Sequence, residues 1–279
     1  MATIRGLYEK GSSLLRPLPL ARLDARLLLL RAASLDERAF FSDPDASLPP
    51  IVEKRYFHLV SKRAAGAPLS YLTGTREFWS IAFRVTPAVL IPRPETELLV
   101  EKALEVSGGG SVDIMDVGTG CGNIAIALAK ELPRARIAAT DISLRALKAA
   151  KFNASVLKTT GVEFIRSDLF SAFRKSNRRF DLVVSNPPYV SESDWEKLPP
   201  GIKGFEPKKA LVPGPTGLEV IRRLVCRSAP YLKSGGHLIF EVGQGQAEEA
   251  LALFDERWED METARDLWGV ERAVIARRR

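Results

Sequence analysis

The run Asn186-Pro187-Pro188-Tyr189 is the stretch whose residue types point most directly to chemistry. It closes an apolar segment, Phe180–Ser185, that reads as a strand. Proline has no N–H, so consecutive prolines leave backbone carbonyls without a competing donor. The Asn186 side-chain oxygen and the Pro187 carbonyl can each accept one N–H of a planar nitrogen bearing two hydrogens, an amide or an exocyclic amine. Pro188 belongs to the same wall, and Tyr189 offers a flat face for the planar group. An amide nitrogen is a poor nucleophile because its lone pair is delocalised. Two accepting hydrogen bonds orient it and stabilise the positive charge that grows as it attacks an electrophilic carbon, and in-line placement supplies the rest. No base is required before attack, since the proton becomes acidic afterwards. Asn186, Pro187 and Tyr189 are therefore the candidate catalytic residues, and all four are candidate substrate-binding residues.

A second constellation lies upstream. The predicted strand Val112–Val117 runs through Asp116 into Gly118-Thr119-Gly120-Cys121-Gly122 and then into a helix. Glycines at alternate positions let the backbone turn tightly and approach a ligand, and the helix start offers free N–H groups. Asp141 closes the next strand, 23 positions after Gly118, where an acid can grip two ribose hydroxyls. A nicotinamide site normally carries G-x-G-x-x-G, because a pyrophosphate sits on the helix dipole. Here the spacing is G-x-G-x-G behind a carboxylate. That suits a cofactor with a cationic end, such as the amino and sulfonium groups of S-adenosylmethionine. Asp168 can accept from an adenine amine and Leu169 can cover the ring; Asp168 as an ordinary turn residue fits equally well. The candidate cofactor-binding residues are thus Gly118, Thr119, Gly120, Cys121, Gly122, Asp141, Asp168, Leu169 and Asn186.

These loops need a scaffold. The first ~70 residues read as helices from apolar periodicity, with Leu20, Leu23, Leu27, Leu28 and Leu30 on one element. Ser34, Asp36 and Glu37 start another helix, ended by Asp43-Pro44, and Ile51 to Val60 makes a further one. No strand signal interrupts this small bundle. A hairpin follows, Glu77–Trp79 with Ile81–Val85. Helix Thr96–Val106 and a loop over Ser107–Gly110 come next. Then strands and helices alternate: Val112–Val117, Gly122–Glu131, Arg136–Thr140, Ser143–Leu157, Val162–Ile165 and Phe180–Ser185. Helix Gly217–Leu232, strand His237–Val242, helix Gln246–Phe254 and two closing strands near Met261 and Arg272–Ala276 complete the pattern. Alternation of this kind implies a doubly wound, mostly parallel α/β sheet.

Composition narrows the function classes. The 279 residues are 46% hydrophobic and 27% charged, ordinary globular usage that excludes a disordered or collagen-like chain. The longest apolar leucine run, Leu27–Leu30, is too short to span a bilayer, and residues 1–10 lack a secretory apolar region, so a cytoplasmic, membrane-free protein is expected. Cys121 and Cys226 fit no disulfide framework or zinc motif, and no metal is expected; Cys226 reads as core filler and Cys121 as a small loop residue. His58 and His237 read as structural. Of the net charge of +7, residues 1–75 hold 11 Lys and Arg against 7 Asp and Glu, and Arg277–Arg279 holds the remainder, leaving residues 76–276 neutral. That speaks against sequence-specific nucleic-acid binding, which concentrates basic side chains at the working face.

These residues resemble class I S-adenosylmethionine-dependent methyltransferases, and within them the peptide chain release factor glutamine methyltransferase family. The resemblance runs through Pro68–Gly74, Glu77-Phe78-Trp79, Leu90-Ile91-Pro92-Arg93-Pro94-Glu95-Thr96-Glu97, Asp116–Gly122 and Asn186–Tyr189. It continues through Phe205-Glu206-Pro207, Gly217-Leu218, Glu241-Val242-Gly243 with Gln246, and Asp266-Leu267-Trp268-Gly269 with Arg272. Cys121 stands where the family more often has Ser or Thr, and Thr216-Gly217-Leu218 replaces a more usual Asp-Gly-Leu. The resemblance implies a seven-stranded sheet and methylation of the glutamine N5 in the Gly-Gly-Gln tripeptide of release factors. It implies a helical domain over 1–74 that docks the release factor, a linking hairpin over 75–92 and a methyltransferase domain over 93–279, acting as a monomer. It also implies cofactor contacts at Gly118 to Gly122, Asp141, Leu169 and Asn186, with Asn186, Pro187 and Tyr189 on the glutamine, and Arg93, Glu95 and Glu97 lining or bracing the cleft. The rival activity is adenine-N6 methylation of DNA or RNA, since an adenine amine presents the same two hydrogens. Duplex base chemistry needs base flipping and usually a recognition module. A nicotinamide oxidoreductase and a non-catalytic adaptor working through residues 1–75 are the remaining classes.

Overall fold

The computed structural model describes residues 2–108 and 110–279. Met1 and Gly109 lie outside the described residues, so the loop expected over Ser107–Gly110 is described except at Gly109. The chain divides into two units: Met1–Thr75 with Pro199–Phe205, and Arg76–Leu198 with Glu206–Arg279.

The first unit begins with strand β1 (Ala2–Thr3) and helices α1 (Ile4–Leu14), α2 (Ala21–Ala33) and α3 (Glu37–Ser42). Strand β2 (Ser47–Leu48) and helices α4 (Pro50–Ala64) and α5 (Leu69–Thr73) follow. Thr3 caps α1 through Gly6 N–H, and Asp36 caps α3 through Ala39 N–H. The expectation of an uninterrupted helical segment is corrected by the two-residue pairing of β1 with β2. It is too short to leave an alternating apolar signature. The core face of α2 also differs from the leucine reading. Ala25, Leu28, Leu29 and Ala32 are buried, while Leu20 and Leu23 are exposed. Buried Asp24 occupies that same face and is neutralised by Arg63 at 2.7 Å. Tyr56 fills the centre of the bundle, and Gly11 makes room for its ring: a Cβ there would lie 1.8 Å from the Tyr56 hydroxyl.

The second unit starts with a hairpin, β3 (Thr75–Phe78) and β4 (Ile81–Arg84). Its two turn residues, Trp79 and Ser80, both have positive φ, the mirror-image turn that suits strand twist. A bulky residue resists that conformation. Here Trp79 is clamped at both ends: its backbone N–H donates to Glu97 (2.7 Å) and its indole N–H to Glu131 (2.8 Å).

Helix α6 (Glu97–Ser107) leads into strand β5 (Asp113–Val117), helix α7 (Asn123–Glu131), strand β6 (Arg136–Asp141), helix α8 (Leu144–Val156), strand β7 (Val162–Arg166) and strand β8 (Phe180–Ser185). Short helix α9 (Glu192–Lys197) follows; α10 (Pro200–Lys203) lies in the segment assigned to the first unit; then come α11 (Glu219–Ser228), β9 (Leu232–Glu241), α12 (Ala247–Leu251), β10 (Trp258–Arg265) and β11 (Glu271–Arg278). The seven strands lie in the order β10-β11-β9-β8-β5-β6-β7. Strands β9, β8, β5, β6 and β7 are parallel, and β10 and β11 close the edge antiparallel. This is the doubly wound, seven-stranded sheet that the alternation predicts. Every residue of β5 is buried, as a strand covered on both faces requires.

The differences are local. Strand β9 begins five residues before His237, because Gly235 and Gly236 sit in a strand irregularity rather than a turn. A Cβ on Gly236 would lie 3.0 Å from the Asp181 carbonyl. Helix α11 stops at Ser228, where a 3-10 turn over Ala229–Tyr231 takes over around Pro230. Its inward face is Ile221, Leu224, Val225 and Ser228. Cys226 points the other way and is exposed, which corrects its reading as core filler.

Gly122 shows how tightly the end of the glycine loop packs against helices α7 and α8. Its φ is +86°, and a Cβ would lie 3.0 Å from Ile126 Cδ1 and 3.1 Å from Ala150 Cβ. Gly122→Ala should therefore cost about 2 kcal/mol through strain and overpacking. Thermal unfolding would read this as a midpoint about 5 °C lower; an unchanged midpoint would show the loop relaxing freely.

Candidate active site

Strand order reverses between β5 and β8, and in open α/β sheets ligands bind outside the carboxyl ends of strands at such a switch point. The loop after β5 and the loop after β8 both open there onto one cavity of about 620 Å3. Gly118, Thr119, Gly120 and Cys121 line it, as do Asp141, Asp168, Leu169, Asn186, Pro187 and Pro188. Gly122 and Tyr189, the other two candidates, are not among its lining residues.

The loop after β5 is pinned to β6. The Gly118 and Thr119 N–H groups both donate to the Thr140 carbonyl at 2.8 Å. Gly118 and Gly120 have φ of +76° and +56°, and no side chain of theirs enters the cavity. Asp141 ties the loop to the start of α8: one carboxylate oxygen accepts from Gly120 N–H (3.0 Å), the other from Ser143 N–H (2.8 Å). Each oxygen keeps a further lone pair for a hydroxyl donor. Burial pushes the Asp141 carboxyl above its ordinary range, against the backbone N–H bonds that favour its charge. Buried Asn153 on α8 joins the loop to the hairpin, donating to the Cys121 and Arg84 carbonyls and accepting from Arg84 N–H. Burial raises the Cys121 thiol to about 12, so it is a packing group and not a nucleophile.

Asp116, the carboxylate ahead of the glycine loop, is not part of the cavity lining. It lies fully buried beneath the loop, where one oxygen accepts the Thr119 hydroxyl at 2.6 Å and the other has no hydrogen-bond partner among the described residues. Burial pushes it up to about 7, partly offset by Thr119. A buried, half-satisfied carboxylate under the loop favours a cation above it and opposes a pyrophosphate. The donor set therefore fits S-adenosylmethionine: a side-chain-free glycine cradle, a carboxylate with spare lone pairs and a negative charge below.

A stability prediction follows. A raised acid means that the folded chain holds its proton more tightly than the unfolded chain. The resulting stabilisation is complete below the unfolded value near 4 and is lost as pH rises through about 7. The ligand-free melting temperature should fall by several degrees from pH 5 to pH 8, and Asp116→Asn should flatten that slope. An equal slope in both proteins would contradict it.

On the far rim, Asp168 accepts two bonds from Arg223 Nη2 (2.8 and 2.7 Å), an exposed pair of little energetic weight. Leu169 holds φ +48°, with its carbonyl fixed by the Ser167 hydroxyl at 2.7 Å. Arg93 reaches buried Glu206 at 2.6 Å, and the same carboxylate accepts from Ile91 N–H. Glu97 braces the hairpin turn. Arg93 and Glu97 thus acquire definite partners.

The loop after β8 shows what the sequence reading missed. Asn186 Nδ2 donates to Thr96 Oγ1 (2.9 Å), Thr96 donates to Glu241 Oε2 (2.7 Å), and the Tyr189 hydroxyl donates to Glu241 Oε1 (2.9 Å). Thr96 and Glu241 are each 1% exposed. Burial lifts Glu241 to about 7, opposed by the two hydroxyls, and lifts the Tyr189 hydroxyl far above its ordinary value. Gln246 donates to the Tyr189 carbonyl (3.0 Å) and accepts from Gly243 N–H (2.9 Å), fixing the end of the loop. The available signal was an acid, Glu241, directly after the buried apolar run Leu238-Ile239-Phe240.

Two family models match: the methyltransferase small domain over residues 94–198 and the PrmC N-terminal domain over residues 7–74. A release factor glutamine methyltransferase of Koribacter versatilis is 41% identical over 261 residues, covering 93% of this chain and 92% of that one. One from Burkholderia pseudomallei is 41% identical over 280 residues, covering 98% of each. Among solved structures, the Thermus thermophilus 16S rRNA N2 G1207 methyltransferase, in complex with AdoMet and guanosine, superposes with a TM-score of 0.54. It shares 18% identity over 74% of this chain and 50% of that one, a likeness of fold.

Proposed function

The chain belongs to the family of release factor glutamine methyltransferases, and on that footing we propose that it methylates N5 of the glutamine in the Gly-Gly-Gln motif of peptide chain release factors, supporting translation termination. S-adenosylmethionine, when bound, supplies an electrophilic methyl group and leaves as S-adenosylhomocysteine. The observation that carries the reading is the shared cavity. A side-chain-free glycine cradle and the Asn186-Pro187 acceptor pair open onto the same space.

In this reading Asp141 accepts from the ribose hydroxyls, and Gly118 to Cys121 present backbone to the cofactor. Gly122 sets the turn, Asp168 and Leu169 border the adenine, and Asn186 touches both reactants. The Asn186 side-chain oxygen and the Pro187 carbonyl accept the two amide hydrogens and turn the nitrogen lone pair toward the cavity. Those acceptors stabilise the charge gained during attack. Pro188 and Tyr189 close the wall. Residues 1–74 dock the release factor in the cytoplasm, the 75–92 hairpin links, and 93–279 catalyses.

The test offers labelled S-adenosylmethionine with three acceptors: release factor, release factor lacking the Gly-Gly-Gln glutamine, and adenine-containing DNA. Label on the first alone is expected. Label on adenine, with none on release factor, would replace this reading by adenine-N6 methylation.

A further inference from the structure

Asn186 can act as an acceptor toward the substrate only if its amide is turned one way. A 180° rotation would point its NH2 group at the incoming NH2, donor against donor. The chain behind Asn186 decides the matter by counting protons. An ionised carboxylate only accepts, so Glu241 takes the single Thr96 hydroxyl proton at 2.7 Å. Thr96 Oγ1 then has only lone pairs left and must accept. Asn186 therefore presents Nδ2 to it at 2.9 Å, and its Oδ1 is left for the cavity. The second Glu241 oxygen is occupied by the Tyr189 hydroxyl, which anchors the carboxylate to the same loop.

We propose that Thr96 and Glu241 are positioning residues for the methyl transfer, fixing the Asn186 amide with its oxygen toward the acceptor nitrogen. This rests on the reading above and goes beyond it: Thr96 borders the cavity and Glu241 lies outside its lining, and both act on the substrate only through Asn186. The buried location matters: with Thr96 and Glu241 each 1% exposed, water does not supply an alternative set of donors and acceptors. The groups facing Glu241 are Thr96 and Glu95 ahead of α6, Tyr189 after β8, and Arg272 on β11, itself paired with Asp266. A protonated Glu241 can donate to Thr96, which frees the Thr96 proton to face Asn186 and releases the amide. The orienting chain thus operates on the alkaline side of the Glu241 transition, near pH 7.

The experiment measures kcat and KM on full-length release factor at saturating S-adenosylmethionine, with calorimetric cofactor binding as the check on folding. Thr96→Val keeps shape and removes the hydroxyl; kcat should fall about 10- to 100-fold, with KM changed less than about threefold. Thr96→Ser restores the hydroxyl and should stay within about threefold of wild type. Glu241→Gln can donate where Glu241 only accepts; kcat should fall about tenfold or more, and the acid limb of its pH profile near 7 should vanish. If Thr96→Val does not bind cofactor, Thr96→Ala and Glu241→Gln carry the same comparison. Wild-type kcat in Thr96→Val, an equal loss in Thr96→Ser, or an unchanged acid limb in Glu241→Gln would overturn the inference while leaving the substrate assignment intact. A wild-type enzyme inactive on release factor would overturn both.

Discussion

Replacing Asn186 by alanine is expected to lower kcat by about 10²–10³-fold, the scale for losing a preorganised hydrogen bond to a charge that develops in the transition state. The loss should be large because nothing nearby substitutes for the Asn186 oxygen. Pro187 and Pro188 contribute no N–H, and the Pro187 carbonyl is already engaged in this reading with the other amide hydrogen. Thr96 and Glu241 hold the NH2 side of Asn186 and do not replace its oxygen. Asn186→Asp is the informative companion: it keeps an acceptor but brings a second carboxylate against Thr96, whose proton Glu241 already takes. It should recover little. Steady-state kinetics on release factor checks this, and Asn186→Ala within about fivefold of wild type would remove Asn186 from the chemistry.

The second large effect belongs to the cofactor. Asp141→Ala should weaken S-adenosylmethionine binding about 100-fold or more. Hydrogen bonds to a charged acceptor are worth ~1.5–3 kcal/mol each, and every 1.4 kcal/mol is tenfold in affinity. The substitution also strips the Gly120 and Ser143 N–H groups of their acceptor, so the loop loses its tether to α8. Asp141→Asn keeps one acceptor and should lose less, about tenfold. Calorimetry with S-adenosylhomocysteine gives the same ordering without turnover. Affinity for Asp141→Ala within about threefold of wild type would place the ribose elsewhere.

Much of this was legible in the sequence, for reasons that differ by element. The parallel strands announce themselves because burial on both faces leaves short apolar runs, and Phe180–Ser185 is found to the residue. The glycine loop is legible because positive φ at Gly118, Gly120 and Gly122 leaves a compositional trace. Asp141 and Asn186 are legible because they end strands, where an α/β sheet places its ligands. The orienting chain is not: Thr96 and Glu241 are 145 positions apart, and only the fold brings them to hydrogen-bonding distance. Asn153, in the interior of α8, is hidden for the same reason, since its partners lie on the hairpin and the glycine loop. Asp116 is legible as a carboxylate ahead of the glycine loop, but its complete burial and its bond from Thr119 are not.

The central claim is that the methyl goes to an amide nitrogen of glutamine, and the identity of the methylated atom tests it most directly. Release factor labelled by this enzyme from methyl-labelled S-adenosylmethionine would be hydrolysed in acid and its products separated. N5-methylglutamine hydrolyses to glutamate and methylamine, so the account expects the label as volatile methylamine, with none when the Gly-Gly-Gln glutamine is replaced. Label remaining on a methylated lysine or arginine, or released as methanol from a carboxyl ester, would contradict it.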